Sequence, residues 1–167
     1  MGRYIGIPLL ILAAILDVTV MAKLRVGGGS PDLVFLLVVS WALLSTMQEA
    51  LLWAMVGGVV KDVLSVAPLG TSALGLVIVV FMADSLFGTV RRNNLVIPPV
   101  VAAAGTVVYH LAILAVLQIV GYGLSLGEGL SYVTLPTVIY NTILILPVFR
   151  MAGLIHQWLT PRRVRLE

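Results

Sequence analysis

The sequence predicts an all-α integral membrane protein, with five or six helices crossing the bilayer and no separate globular domain. Three observations predict it. Of 167 residues, 60% are hydrophobic and 10% charged, and mean hydropathy is +1.14, outside the range of a water-soluble domain. The apolar residues gather into segments near the roughly 20 residues that a bilayer span requires, joined by short polar or Gly/Pro-rich connections. Where ionisable residues fall inside those segments, as Asp17, Lys61 and Asp62 do, their cost in lipid marks them as candidate sites. The whole chain, 1–167, reads as a single membrane domain.

The first span covers about 4–22, with Arg3 before it and Lys23 and Arg25 after it. It is long for the apolar core of a signal peptide and lacks a convincing cleavage site, so it is expected to stay in the membrane. Gly27-Gly28-Gly29-Ser30-Pro31-Asp32 is a turn, with Asp32 placed to cap the helix that begins at Leu33. The stretch 33–66 is read as two short spans, about 33–47 and 50–66, with Gln48 and Glu49 at the turn so that the carboxylate reaches water. One continuous helix would hold Glu49 near mid-membrane. Pro68-Leu69-Gly70 ends the pair, and about 71–88 is the next span. The polar loop Arg91-Arg92-Asn93-Asn94 leads to 95–120, whose Pro98 and Pro99 sit in the first turn, where missing amide donors do least harm. A glycine-rich connection containing Glu128 precedes the last span, about 132–151, and residues 152–167 form a basic interfacial tail with Trp158, Arg162, Arg163 and Arg165.

Charge placement orients the chain without fixing the number of spans. With six, Arg3, Arg91, Arg92, Arg150 and the tail arginines share one side, against Lys23, Arg25 and Lys61 on the other; with five, Lys23 and Arg25 change sides and Arg3 leaves. Both readings put the 91–94 loop and the C-terminus in the cytoplasm. Basic residues there face anionic lipid.

Gly58, Asp62 and Ser65 share one helix face beside Gly57, a pattern that admits a close neighbouring helix and points a carboxylate into the contact. The bland alternative is that Lys61 and Asp62 are a helix-end pair snorkelling to the interface. Asp17, with Lys23 or Lys61 as partner, His110, Tyr140 and Asn141 read as polar links between helices. Asp84 is expected to pair with the Arg91-Arg92 loop. No cysteine is present, which excludes disulfides and thiolate chemistry. HExxH, GxSxG, a phosphate-binding glycine loop and a Ser/His/Asp set are all missing from the sequence, so no catalytic residue, metal or cofactor is expected. Basic runs without interleaved aromatics speak against nucleic-acid binding.

Two stretches carry a resemblance. Ser30-Pro31-Asp32-Leu33 with Trp41-Ala42-Leu43, and Gly58-Val59-Val60-Lys61-Asp62-Val63-Leu64-Ser65-Val66-Ala67-Pro68-Leu69-Gly70 with Ala73-Leu74, resemble the MreD family of the bacterial rod-shape machinery. Asn141 with Pro147 is a weaker third match. Lys61 departs from the apolar residue expected before the aspartate, which leaves open whether Asp62 is free for a partner or already paired. The resemblance implies six spans with both termini cytoplasmic in the bacterial inner membrane, and an architecture similar to the substrate-binding subunits of energy-coupling-factor transporters. It further implies a non-enzymatic scaffold that binds MreC and, through it, the elongation glycosyltransferase, the transpeptidase and MreB. Asp32, Gly57, Gly58, Asp62, Ser65, Pro68 and Gly70 would then form the partner-binding corner. A solute-binding subunit of a vitamin-type transporter is the competing expectation.

Overall fold

The computed structural model of the chain describes residues 6–25, 28–87, 95–123, 127 and 129–159. Of these, 85% are helical, in six α-helices with no strand among them. The helices are α1 (Gly6–Thr19), α2 (Leu33–Leu44), α3 (Met47–Val63), α4 (Thr71–Phe87), α5 (Ile97–Val120) and α6 (Leu135–Leu159). A 3-10 turn, Met21–Leu24, follows α1, and a π-helical turn, Gly129–Thr134, leads into α6.

Helix α2 is the axis of the bundle. It packs against all five other helices, which wrap around it in the order α1, α3, α4, α5, α6. Nine of its 12 residues are buried, because the segment LVFLLVVSWALL is apolar on every side and so has no face to give to water. At about 1.5 Å per residue it rises only about 18 Å, short of a bilayer core of about 30 Å. Protein, not lipid, covers most of its flank. Among the described residues, two elements are long and apolar enough to cross a membrane, Ile97–Val120 and Gly129–Trp158, both far less buried than α2.

The turn between α2 and α3 lies at Ser45-Thr46, not at Gln48 and Glu49, which occupy the first turn of α3. Ser45 ends α2 by donating both its amide and its hydroxyl to the Trp41 carbonyl, each at 2.8 Å. Thr46 takes the N-cap position and Glu49 the third helical one, where a carboxylate favours the positive end of the helix. Polarity alone misplaced the break by three residues, most of a helical turn.

The helices alternate in direction. At the lower end, Trp41 of α2 stacks on Trp53 of α3 with centroids 4.0 Å apart, and His156 of α6 meets Trp41 edge-on at 5.4 Å. Gly6 of α1 lies flat on the Trp53 ring, where a Cβ would come within 2.5 Å of Cζ2. The upper end gathers the C-termini of α1, α3 and α5 and the N-termini of α2, α4 and α6. Here Pro136 matters. Lacking an amide, it leaves the Tyr132 carbonyl without its intrahelical donor, and Gly28 donates to that carbonyl at 2.9 Å. Gly29 then sits so close to the π turn that a Cβ would lie 2.7 Å from the Val133 carbonyl oxygen and 2.8 Å from the Thr137 amide nitrogen.

Candidate functional site

Four backbone amides at the start of any helix lack intrahelical partners, and in α2 they start inside the molecule. The chain satisfies all of them. Asp17 of α1 accepts from Leu33 at 2.8 Å and Val34 at 3.2 Å, and the Asp32 carboxylate accepts from Phe35 at 2.9 Å, before the Leu36 amide makes the first intrahelical bond, to the Asp32 carbonyl at 3.0 Å. The Asp32 amide itself donates to Asn141 Oδ1 at 3.1 Å, and Asn141 Nδ2 donates to Thr106 Oγ1 at 3.0 Å. One asparagine, 1% exposed, thereby ties α6 to α2 and α5.

The second oxygen of Asp32 pairs with Lys61 of α3. Lys61 therefore bonds neither to its neighbour Asp62 nor to Asp17, and its ammonium also lies 5.1 Å from the centre of the Tyr109 ring. This pair joins the turn before α2 to the end of α3. It brings the two motif stretches together at the upper end.

Asp62, 2% exposed, turns the other way and caps α4. Its oxygens accept from Gly70 at 2.8 Å and from Ser72 at 2.9 and 3.1 Å. Ser65 donates its hydroxyl to the Asp62 carbonyl at 3.2 Å and accepts from the Ala67 amide at 3.2 Å. The Pro68 carbonyl accepts from Thr71 through both amide, at 3.2 Å, and hydroxyl, at 2.7 Å. Gly70, at φ +94°, holds the turn position that a side chain would strain. Gly58 completes the corner by letting α4 approach so closely that a Cβ would lie 2.2 Å from Ala73 Cα. The close neighbour that this face admits is the chain's own α4. Gly57, Gly58 and Asp62 thus have internal partners, and the corner's free surface belongs to Val63, Ser65, Val66 and Leu69.

Between the α2 cap and this corner lies a cavity of about 550 Å³. Asp32, Ser72 and Tyr109 form its buried floor, and Val18, Arg25, Ser65 and Val66 its exposed mouth. His110 is on the wall, with Nδ1 3.0 Å from Thr134 Oγ1 of the π turn. Tyr140 instead faces the 3-10 turn and donates to the Leu24 carbonyl at 3.2 Å.

The family described as rod shape-determining protein MreD matches residues 2–157 of the chain. The chain belongs to the MreD family. MreD is a shape-determining, membrane protein family, and this member accordingly has a role in rod shape determination. Neither a curated protein nor a solved structure matches it. In this MreD chain Ser30-Pro31-Asp32-Leu33 and the 58–70 stretch meet at the upper end and Trp41-Ala42-Leu43 lies at the lower end of α2, while Arg3, Arg91, Arg92, Glu128, Arg162, Arg163 and Arg165 lie outside the described residues, as does any pairing of Asp84 with the 91–94 loop. Sequence reasoning missed Ser72, Thr106, Tyr109 and Thr134. A signal for two of them was available: Thr106, Tyr109, His110 and Ile113 recur at the three- and four-residue spacing of one helix face.

Proposed function

We propose that this chain is a non-enzymatic membrane scaffold of the rod-shape machinery that binds MreC and, through it, the elongation glycosyltransferase and transpeptidase outside and MreB inside. The observation that carries the reading is the α3–α4 corner. Its polar groups are consumed internally by Asp62, Ser65 and Pro68, so the corner is stiff, yet it offers Val63 at 66%, Val66 at 96% and Leu69 at 73% exposure. A rigid apolar knob of this kind suits a juxtamembrane helix from a single-span partner. In this reading the six helices span the bacterial inner membrane with both termini cytoplasmic, and the knob stands at the outer face. Apolar side chains exposed along every outer helix, such as Leu12, Leu52, Phe81, Ile119 and Ile143, support immersion in lipid. The likeness to energy-coupling-factor substrate-binding subunits remains an implication of the family resemblance.

Asp62 and Gly58 are poor probes of this contact, because changing them breaks the chain's own corner. Val66→Glu with Leu69→Glu is the better test. With a C-terminal tag and mild detergent, we expect the unaltered chain to recover MreC, and the double variant, still inserted and folded, to recover less than about a tenth as much. Equal recovery of MreC by both would sink the corner as the docking site, and recovery of a transmembrane coupling protein with paired ATPases would replace the scaffold by a transport subunit.

A further inference from the structure

The cavity between α1, α3, α5 and the π turn shares Ser65 and Val66 with the corner at its mouth, and the chemistry of its interior is unbalanced in one direction. Both carboxylates beside it are engaged on both oxygens: Asp17 by the amides of Leu33 and Val34, Asp32 by the amide of Phe35 and by Lys61. The donors are not used up. Lys61 carries three N–H groups, and Asp32 takes one of them. The Tyr109 hydroxyl, on a residue 1% exposed, lies beside Lys61 and Ser72 without a well-aligned hydrogen bond to either. Leaving such a group unmade costs free energy that an apolar phenylalanine would avoid. The mouth adds the Arg25 guanidinium, and Val18, Val66 and Ile113 supply apolar wall.

We infer that this cavity binds a phosphate ester, its oxygens accepting from Lys61 and Tyr109 on the floor and any acyl chain it carries lying along the wall toward the mouth. A tetrahedral oxyanion presents several acceptors at once, which matches converging donors of different origin. The α2 N-terminus, already capped by Asp17 and Asp32, takes no part in holding it. The ligand can come from the bilayer as a lipid headgroup or from water as a soluble phosphate ester.

The test uses the full chain in neutral detergent, with binding read by calorimetry and native mass spectrometry. The probes are dioctanoyl phosphatidylglycerol, dioctanoyl phosphatidylcholine and glycerol 3-phosphate. Saturable binding of phosphatidylglycerol in preference to phosphatidylcholine, weakened about tenfold by Tyr109→Phe, supports the site with a lipid as its source. The same pattern with glycerol 3-phosphate supports it with a soluble ester. Tyr109→Phe should melt close to the unaltered chain, since the hydroxyl it removes makes no well-aligned hydrogen bond, and melting of the variant shows whether a loss of binding reports misfolding. A second variant, Ile113→Trp, fills the cavity from the wall and should abolish binding. Binding that ignores headgroup charge, that is unchanged in both variants, or that is absent for all three probes would overturn the proposal.

Discussion

At the scale of single residues, Lys61 shows how one unexpected side chain redirects its neighbours. A charged residue in this position would be costly alone, and Asp32, which the sequence offers as a helix cap and a corner residue but not as an ion-pair partner, neutralises it across 29 positions of sequence. The cap thus has two duties. Phe35 holds one oxygen and Lys61 the other. Lys61→Met should therefore destabilise the protein by about 2–3 kcal/mol, because it strands a buried carboxylate, with the α2 N-terminus offsetting part of the loss. Adding Asp32→Asn to Lys61→Met removes the stranded charge while keeping an oxygen for the Phe35 amide, and should recover more than half of that stability. Thermal unfolding of the two single variants and the double variant in one detergent measures the coupling. Additive losses would mean that the pair contributes nothing as a pair.

At the scale of helices, the fold is decided by where backbones come close and where helix ends find partners. Gly57 and Gly58 are adjacent in sequence but face different neighbours. A Cβ on Gly57 would meet Val34 Cγ1 at 3.0 Å and Leu10 Cδ2 at 3.2 Å, both side-chain atoms able to shift, whereas one on Gly58 would lie 2.2 Å from Ala73 Cα and 2.4 Å from its amide nitrogen. Backbone cannot yield in that way. Gly58→Ala should cost at least about 3 kcal/mol and separate α3 from α4, while Gly57→Ala should cost under about 1 kcal/mol, since it also gains helix propensity. Equal melting temperatures for the two variants would contradict this packing. Spacing in the sequence did reveal that Gly58, Asp62 and Ser65 share a face, and it revealed the existence and order of the helices, because apolar runs and Gly/Pro punctuation are local signals. It did not reveal that the neighbour was α4, since no local pattern says which helix fills a small-residue groove. The π turn was equally hidden: the Tyr132 carbonyl, which Pro136 has no amide to serve, takes its donor from Gly28, more than a hundred residues away.

At the scale of the whole molecule, the five helices packed around α2 bear on a conflict that hydropathy alone left open. Segments of 12 and 17 residues look too short to be spans beside one of 24, and charge counting accepted five spans as readily as six. With α2 sheathed by protein, its length need not match lipid, and an outer helix can be extended to the interface by its flanking turn. Six alternating helices put Leu69 at one end of the bundle and both Gln48 and Gln157 at the other. The chain has no cysteine, so each position can be replaced singly by one and labelled without background. In the proposed topology, Leu69→Cys in intact cells reacts with a membrane-impermeant maleimide, and Gln48→Cys and Gln157→Cys react only after the membrane is opened. All three are exposed, so labelling reports side and not burial. Labelling of Gln48→Cys from outside would place the α2–α3 turn on the same side as the corner, and no bundle with α2 antiparallel to α3 could then span the bilayer. Labelling of Gln157→Cys from outside, with Leu69→Cys protected, would invert the molecule and move the corner to the cytoplasm, where it could not meet the outer portion of a partner. The two glutamines are therefore tested together: their common protection is what six helices of this direction and order require.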